Sequence, residues 1–339
     1  MASERRLLDN SRVLVTGGSG FIGTNLIDAL RPRVTSLLNL DVVEPRNGGH
    51  LDIWKRCDIR DERGLGDAVA AYRPDIVVHL GARTDLHGTS RDDYAANTRG
   101  VENVIRAVAG AGSVQLAVYA SSRLVFDIHH RPSDEYDYHP TTAYGESKAE
   151  GERIVRDRAG EASRWLMVRP TSIWGPWFGV PYRDFFDAVL RGRYVHPAGR
   201  RIRKSYGYVG NSVFQLERLI DAPPADVDGG VFWLADYPPI EVAAWAGEIR
   251  RCAGLGPVRS VPTWVLQAGG RAGDLLARLG MSDPPLTSFR VDNLLTEMVY
   301  DCGPTERIAG ELPFTMADGV RATIEWLRGV SAASVAGGR

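Results

Sequence analysis

A glycine-rich turn directly after the first apolar run constrains the fold of this chain more than any other feature. Residues 12–16 are rich in β-branched side chains, and the sequence then reads Thr16-Gly17-Gly18-Ser19-Gly20-Phe21-Ile22-Gly23. Glycines at this spacing permit a sharp strand-to-helix turn and let the backbone approach a pyrophosphate, which the helix N-terminus attracts. The turn therefore predicts a dinucleotide site that uses Gly17, Gly20, Phe21, Ile22 and Gly23.

Apolar segments of strand length alternate with helix-compatible segments through the first half of the chain. After residues 12–16, such runs recur at residues 36–41, 76–80, 116–120 and 165–169. Strands that alternate with helices in this way indicate a parallel sheet covered on both faces. We predict an α/β fold of the Rossmann type, a doubly wound parallel sheet with a smaller, interleaved C-terminal lobe that binds substrate.

The composition of the sequence changes after Pro170, where aromatic and turn-forming residues become frequent. We place the boundary between a dinucleotide-binding domain, residues 1–175, and the substrate-binding lobe, residues 176–330, at this change. An apolar run within residues 208–236 is a candidate strand of the first sheet, so we expect parts of that range and of about 285–300 to complete the first domain. Residues 331–339 are small and polar-leaning, which predicts a flexible tail.

Composition narrows the class of protein. The chain has 339 residues, 41 basic and 42 acidic side chains and a formal charge of −1, which argues against binding of nucleic acid through a general positive field. Three widely separated cysteines show no metal-type spacing and fit a reducing compartment. No signal-like start or long uncharged apolar run occurs. We expect a cytoplasmic protein that binds a small molecule, with no metal, membrane or nucleic acid as partner.

Two acids follow the second and third apolar segments. Asp41 lies 18 residues beyond Gly23, about where an acid that binds a ribose is expected. A carboxylate there accepts both ribose hydroxyls and repels a 2′-phosphate, which favours NAD over NADP; the alternative is a solvated loop acid, and Arg46 nearby weakens the preference. Asp58 is a candidate for a hydrogen bond to the adenine amine, with capping of its own loop as the alternative.

Tyr144 and Lys148 predict hydride chemistry. Residues four apart on a helix lie on one face, so the ammonium can stabilise the phenolate. A positive charge at about 5 Å in an effective dielectric near 20 supplies about 3 kcal/mol, while lowering a tyrosine pKa by about three units takes roughly 4 kcal/mol. An oxidised nicotinamide, itself cationic, supplies the rest.

These motifs together carry a resemblance. The chain resembles the extended short-chain dehydrogenase/reductase family, in the branch of the nucleotide-sugar epimerases and dehydratases. Beyond the glycine turn, the matching residues are Asp41, Asp58-Ile59-Arg60-Asp61, His79-Leu80-Gly81-Ala82-Arg83, Asn97-Thr98-Arg99-Gly100, Ser121-Ser122, Tyr144 to Lys148, Arg169-Pro170, Gly175-Pro176 and Tyr208-Val209.

The resemblance assigns roles to individual residues. It implies that Tyr144 is the acid/base, that Lys148 lowers its pKa and holds the nicotinamide ribose, and that Ser122 hydrogen-bonds the reacting oxygen, with Ser121 as a structural neighbour. It also implies a homodimer. For Arg83 and Asn97 a structural role is as plausible as contact with the cofactor. The cofactor-binding residues implied in addition to the glycine turn and Asp41 are Asp58, Ile59, Leu80, Gly81, Ala82, Arg83, Asn97, Tyr144 and Lys148.

The two residues after Ser122 bear on which reaction of the family this chain catalyses. The dehydratases of this branch carry an Asp-Glu pair directly after the catalytic threonine, and here those positions are Arg123 and Leu124, which cannot shuttle a proton at neutral pH. The resemblance then favours an NAD-dependent epimerase of a nucleotide-diphosphate sugar, acting at C4 through a 4-keto intermediate. The alternatives are a ketoreductase or dehydrogenase, another sugar-modifying enzyme such as a decarboxylase or dehydratase, and a non-catalytic dinucleotide sensor.

The substrate side departs from the family pattern. Ser172 stands where many relatives have an asparagine that contacts substrate, and Lys204-Ser205 replaces a common Arg-Asp. Arg203 and Lys204 are candidates for the substrate diphosphate, because both side chains bind phosphate, and Arg290 is a further candidate. Together with Ser122 and Tyr144, these residues form the predicted substrate site. His87 is a possible second acid/base.

Overall fold

The computed structural model describes residues 6–281, 284 and 286–336. A parallel sheet, its flanking helices and a set of short strand pairs make up the described chain. The strands are β1 (Arg12–Thr16), β2 (Ser36–Asp41), β3 (Trp54–Arg56), β4 (Ile76–His79), β5 (Leu116–Ala120), β6 (Arg164–Pro170), β7 (Ser172–Trp174), β8 (Val195–Pro197), β9 (Arg203–Lys204), β10 (Tyr206–Tyr208), β11 (Val231–Leu234), β12 (Ile240–Glu241) and β13 (Arg259–Val261).

The α-helices connect and cover these strands. They are α1 (Phe21–Leu30), α2 (Glu62–Tyr72), α3 (Arg99–Ala111), α4 (Ala143–Arg158), α5 (Tyr182–Leu190), α6 (Val209–Ile220), α7 (Pro224–Val227), α8 (Val242–Cys252), α9 (Thr263–Arg278), α10 (Ser288–Leu295), α11 (Gly303–Ala309) and α12 (Met316–Ala336). None of the helices in the described ranges is both long enough and apolar enough to cross a lipid bilayer.

Seven parallel strands form the central sheet, in the order β11-β6-β5-β4-β1-β2-β3. Successive side chains of a strand point to opposite faces, so Val13 and Val15 join the core on one side and Leu14 the core on the other. Helices α1 and α6 cover the first face, and α2, α3 and α4 cover the second. The predicted Rossmann-type fold is confirmed.

The second lobe is built from short elements and aromatic packing. Its strands pair two by two, as β7 with β10, β9 with β12 and β8 with β13. Trp174, Phe186 and Trp245 lie against one another with ring centroids between 5.3 and 5.8 Å apart, and all three are fully buried. These aromatic residues, which follow the change of composition after Pro170, are therefore core residues of this lobe.

Strand β11 pairs with β6 in parallel, so the chain returns to the first sheet after leaving it. The expected contribution of residues 285–300 is different: α10 packs against α9 and adds no strand to the sheet in the described part of the chain. Helix α12 continues to Ala336 and so includes residues 331–336 of the segment predicted as a tail. Alanine is the best helix former, and this segment contains several alanines. Residues 337–339 lie outside the described residues.

Candidate active site

The turn between β1 and α1 leaves no room for side chains. Gly17 has a φ of +74°, and a Cβ on it would lie 2.5 Å from the backbone nitrogen of Gly81. A Cβ on Gly23 would lie 2.5 Å from the carbonyl oxygen of Gly17. Each of these positions therefore requires glycine. The close approach brings the turn, the start of α1 and the end of β4 together, as the sequence pattern predicts.

The N-terminus of α1 faces this turn. Gly20 is its N-cap residue and offers no side chain to the first-turn amides, and the first intrahelical bond runs from Thr24 N to Gly20 O at 2.9 Å. The preceding amides, among them those of Phe21 and Ile22, lie at the positive end of the helix and are suited to donate to an anion. The cradle thus fits the pyrophosphate of a dinucleotide.

Asp41 closes the end of β2 beside the turn. Its carboxylate accepts hydrogen bonds from Ser19 N at 3.1 Å and from Val43 N at 3.2 Å. These contacts fix the carboxylate and leave lone pairs for ribose hydroxyls. The guanidinium of Arg46, the residue that argues for a 2′-phosphate, donates to the carbonyl of Trp177. The arrangement agrees with the prediction of NAD.

Asp58 caps its own loop. Its carboxylate accepts the backbone N–H of Arg60 at 2.9 Å and the guanidinium of the same residue at 2.6 to 3.0 Å, and that pairing lowers the pKa of Asp58. The structure therefore supports the loop-capping alternative. Ile59 is buried and lies under Gly81 and Gly100, so it supports the floor of the cradle.

Asn97 ties the end of β4 to the helix that carries the tyrosine and lysine. Its side chain accepts from Arg83 N at 2.9 Å and donates to Arg83 O at 3.0 Å and to Ser147 Oγ at 2.9 Å. The guanidinium of Arg83 turns away to Asp85 and lies 5.0 Å above the ring of Tyr94. Asn97 therefore positions α4, and only the backbone of Arg83, with Leu80, Gly81 and Ala82, is placed to line the cofactor side.

Ser122 and Tyr144 meet at the carboxyl end of β5. Ser122 begins a short turn of 3₁₀ helix and accepts from Leu124 N at 3.1 Å. Tyr144 is 7 % exposed, and burial raises the pKa of its phenol while the nearby hydroxyl of Ser122 lowers it. The roles that the resemblance gives to this pair stay predictions.

Lys148 lies beneath this pair. Its Nζ donates to Ala120 O at 2.6 Å, and burial lowers the pKa of Lys148 to about 8 while Glu152 opposes the shift. Burial is the largest influence on the pKa of Tyr144 and raises it. The positive charges that the sequence argument invokes, those of Lys148 and of an oxidised nicotinamide, must therefore also offset this effect of burial.

Ser121 belongs to a buried ionic network behind the site. Its hydroxyl hydrogen-bonds the carboxylate of Glu152, which pairs with Arg169 at 2.7 and 2.9 Å. Tyr138 donates to the same carboxylate at 2.9 Å. The network joins β5, β6 and α4, so Ser121 has a structural role and Ser122 remains the candidate site residue of the pair.

Arg203 and Lys204 face opposite sides of β9. The guanidinium of Arg203 is exposed and pairs with Glu297 at 3.1 Å, whereas Lys204 is 1 % exposed and its Nζ donates to Asn293 O at 2.6 Å. Burial and the charge of Arg123 lower the pKa of Lys204 to about 7. Of the two predicted diphosphate ligands, only Lys204 is directed into the protein.

The other predicted substrate residues are spread out. Ser172 is buried on β7, and its nearby side chain lowers the pKa of Tyr182 of the second lobe, while burial raises that pKa. Arg290 is exposed on α10 and its Nη1 donates to Pro284 O at 2.6 Å. His87 is exposed, and its backbone N–H donates to Asp85 Oδ1 at 3.0 Å. In the described ranges, no group of three or more His, Cys, Asp or Glu residues is arranged to hold a metal ion.

Arg123 is a site residue whose role the sequence did not indicate. It follows Ser122 directly, and its charge affects the pKa values of Tyr182, Lys204 and Tyr206. These three residues belong to the second lobe, so Arg123 is a further candidate site residue near the predicted substrate side. Its position directly after Ser122 is the signal in the sequence that could have indicated this.

Comparison with known proteins decides the family. The profile described as the NAD dependent epimerase/dehydratase family matches residues 13–194 of this chain. The chain belongs to this family. The resemblance stated from the motifs and the prediction of NAD as cofactor are therefore confirmed. When bound, NAD would supply a hydride acceptor and donor.

Curated relatives align over most of the chain. An N-acetyl-alpha-D-glucosaminyl-diphospho-ditrans,octacis-undecaprenol 4-epimerase of Escherichia coli O157:H7 is 25% identical over 324 residues, 94% of this chain and 95% of that protein. A 3 beta-hydroxysteroid dehydrogenase/Delta 5-->4-isomerase of Mycobacterium tuberculosis is 28% identical over 325 residues, 89% of this chain and 86% of that protein.

A solved structure shares the fold. The UDP-glucose 4-epimerase of Thermotoga maritima, determined with UDP-glucose, superimposes with a TM-score of 0.70 at 21% identity and covers 94% of this chain and 99% of that chain. The likeness extends through both lobes.

Proposed function

We propose that this enzyme is an NAD-dependent 4-epimerase of a nucleotide-diphosphate sugar. The observation that carries the proposal is the buried Tyr144 phenol beside Ser122 at the end of β5, in a chain whose glycine cradle fits the pyrophosphate of a dinucleotide. The names of the relatives support the reaction class, since both the Escherichia coli protein and the Thermotoga maritima protein are 4-epimerases.

In the proposed cycle, Tyr144 takes the proton of the C4 hydroxyl as hydride leaves that carbon, and Ser122 donates a hydrogen bond to the oxygen that becomes the ketone. Rotation of the 4-keto sugar presents its other face, and Tyr144 returns the proton after hydride returns. Lys148 holds the end of α4 against β5 through Ala120 and is placed to contact the nicotinamide ribose. General acid–base transfer of this kind contributes about 10²–10⁴-fold to the rate.

The side chains after Ser122 favour epimerisation over elimination. Arg123 and Leu124 stand where a dehydratase needs an acid and a base, and neither exchanges a proton at neutral pH. Epimerisation requires only one proton carrier, which Tyr144 supplies.

The test mixes the purified NAD-bound enzyme with UDP-, dTDP- and GDP-linked sugars and follows proton NMR. We expect the C4 stereoisomer of at least one sugar to form while the redox state of the cofactor stays constant. Failure of every sugar to isomerise would refute the proposal.

A second candidate is net dehydrogenation or ketone reduction, which the Mycobacterium tuberculosis relative favours because its name describes a hydroxysteroid dehydrogenase. This reaction changes the absorbance of free NADH in proportion to product. A stoichiometric change with a steroid or small ketone, together with no isomerised sugar, would establish the second candidate. The homodimer and the cytoplasmic location stay predictions.

A further inference from the structure

Helix α9 carries large apolar side chains on the face that it turns to solvent. Trp264, Leu275 and its C-cap residue Leu279 are 68 %, 56 % and 75 % exposed. Leu275 and Leu279 are about one turn apart, and Trp264 precedes Leu275 by about three turns, so the three side chains lie along one face. A helix at the surface of a soluble protein normally presents polar residues there.

The opposite face of α9 is held against the protein by small residues. The residues of this helix that are buried are Leu266, Gly270 and Gly273. A Cβ on Gly273 would overlap the carbonyl oxygen of Leu286, and a Cβ on Gly270 would lie 3.1 Å from the backbone of Ser288 at the start of α10. The close approach of the backbones fixes the rotation of α9. The helix therefore cannot turn its leucines inward, and the outward apolar face is built into the fold.

The apolar surface continues onto the neighbouring helix. Phe289 follows Ser288 in the first turn of α10 and is 72 % exposed. Of the sixteen large apolar side chains that are exposed in the described residues, seven lie between positions 264 and 289. We call the exposed side chains of Trp264, Leu275, Leu279 and Phe289 the α9 surface. Scattered exposed apolar residues are normal, but a concentration of them marks an interaction site.

Two arginines line one edge of the apolar face. Arg271 and Arg278 are both exposed, and they are seven residues apart, which is about two turns. The one acidic residue of α9, Asp274, is only half-buried but is engaged, because its carboxylate accepts Ser288 N of α10 at 3.0 Å. The edge that α9 offers to a partner is therefore cationic.

This pattern of charge identifies the partner. Exposed tryptophan and leucine beside arginine are the composition of a helix that lies in the headgroup region of an anionic bilayer. A tryptophan suits that boundary because its ring is apolar and its N–H is polar. A contact between two copies would join the same patch of each chain and would bring the arginines of both into one interface, where Asp274 is already engaged.

We propose that the α9 surface binds the face of an anionic lipid bilayer, with its apolar side chains among the headgroups and its two arginines at the lipid phosphates. The inference goes beyond the proposed function and does not depend on the reaction. Such a helix lies on a membrane without crossing it, so the lack of a long apolar run in the sequence does not bear on it. Asn293 of α10 accepts from buried Lys204 at 2.6 Å, so the bound enzyme would hold its predicted substrate side one helix away from the lipid.

The test is flotation of the NAD-loaded full chain with lipid vesicles. We expect binding to vesicles of equal parts phosphatidylglycerol and phosphatidylcholine, weakened by added salt, and at least about tenfold weaker binding to phosphatidylcholine alone. The pair Arg271→Gln and Arg278→Gln should weaken binding to the anionic vesicles by about 30-fold, because each basic side chain near such a surface contributes about fivefold. The pair Leu275→Gln and Leu279→Gln should weaken it by at least about 30-fold, because it removes the inserted apolar area.

Matched controls use a leucine and an arginine that lie outside the α9 surface. Leu51 is 52 % exposed, and Arg63 on α2 is exposed at 94 % of its side chain. Leu51→Gln and Arg63→Gln should bind vesicles like the wild type. The affinity for NAD should be the same in all of these proteins, which shows that each variant is folded.

Two results with vesicles would overturn the inference. One is a wild-type protein that does not float with the anionic vesicles, and the other is a double leucine variant that floats as well as the wild type. Sedimentation without lipid tests the second copy as the occupant. A wild-type mass that falls in the double leucine variant, together with no vesicle binding, would make the α9 surface a contact between copies and would also overturn the inference. Formation of a C4 epimer in the NMR assay is independent of all these results.

Discussion

The cofactor side and the substrate side of this active site are completed in different ways. On the cofactor side, the backbone at Gly17 and Gly81 and the fixed carboxylate of Asp41 form a finished surface. On the substrate side, the charge of Arg123 lowers the pKa of Lys204, and Arg123 Nη1 is buried without a hydrogen-bond partner in the described part of the chain. The difference teaches that the chain alone shapes the cofactor side, while the substrate side keeps a buried donor that a ligand can satisfy.

The largest expected effect is at Tyr144, where the two sides meet. Tyr144→Phe should lower turnover by about 10²–10⁴-fold, because it removes the proton carrier. Affinity for NAD should change by less than about threefold, because the glycine cradle is untouched. The measurements are kcat with an isomerised sugar and the dissociation constant of NAD.

Tyr119→Phe is the matched control, because the Tyr119 hydroxyl is buried without a hydrogen-bond partner in the described ranges. It should retain wild-type turnover. A Tyr144→Phe enzyme that keeps its activity would contradict the assigned role. A Tyr144→Phe enzyme that no longer binds NAD would show that Tyr144 also contributes to cofactor binding.

Gly17→Ala should damage the cofactor side selectively. A positive φ costs a non-glycine residue roughly 1–2 kcal/mol, and the added Cβ would press on the backbone of Gly81. We expect NAD to bind at least about 30-fold more weakly, a loss of about 2 kcal/mol. Fluorescence titration with NAD measures this, and thermal unfolding of the NAD-free protein reports the strain.

Gly66→Ala in α2 is the control for Gly17→Ala, since nothing lies within 4 Å of its added Cβ. It should bind NAD normally and gain up to about 1 kcal/mol of stability, because alanine is the better helix former. Normal NAD affinity in Gly17→Ala would show that the close approach at Gly81 is not required.

Asp41→Ala should weaken binding of the cofactor and change the preference between NAD and NADP. Loss of charge-assisted hydrogen bonds to ribose should weaken NAD by about tenfold, and loss of the negative charge should improve NADP relative to NAD. The ratio of the two dissociation constants is the measurement. Asp67→Ala, at an exposed position on α2, should leave that ratio unchanged. An unchanged ratio in Asp41→Ala would refute the ribose assignment.

Lys204 provides the smallest effect and tests the substrate side. Burial and Arg123 hold its pKa at about 7, below the ordinary value of 10.5, so most of the ammonium is deprotonated at pH 8. An anion bound beside it raises that pKa, so the enzyme should take up a fraction of a proton when the nucleotide sugar binds at pH 8. At pH 6 the group is already protonated and the uptake should disappear.

Calorimetry in two buffers of different ionisation enthalpy measures this proton uptake. Lys204→Met should abolish the proton uptake. Binding of NAD alone should cause no proton uptake of comparable size, because NAD binds on the cofactor side of the site. Equal heats in both buffers for the wild type with nucleotide sugar at pH 8 would show that Lys204 does not contact the anion.

The cofactor side could be predicted from sequence because its determinants are local. Gly17 to Gly23 and Asp41 lie within one β-α-β unit. The need for glycine arises from the turn between β1 and α1, whose residues are close together in the sequence. Ser122, Tyr144 and Lys148 could be predicted because the resemblance to a family rests on residues that follow one another in the family's order. Their catalytic roles stay predictions.

The substrate side could not be predicted to the same depth. Which of Arg203 and Lys204 points inward depends on the pairing of β9 with β12, which no local pattern records. The pKa argument for Tyr144 treated the pair with Lys148 as two charges in a uniform medium, and burial of the phenol proved to be the larger effect. A role for Arg123 could not be predicted from its neighbours in sequence, because the residues whose pKa values it affects belong to the second lobe.

The return of β11 to the sheet bears on how this protein is made. Strand β6 has its other neighbour, β5, early in the chain, but its second edge stays open until residues 231–234 have left the ribosome. An exposed edge strand is a template for pairing with other chains. A nascent chain or a premature stop before Val231 would therefore display an unpaired β6, and we expect such products to be captured by chaperones or degraded.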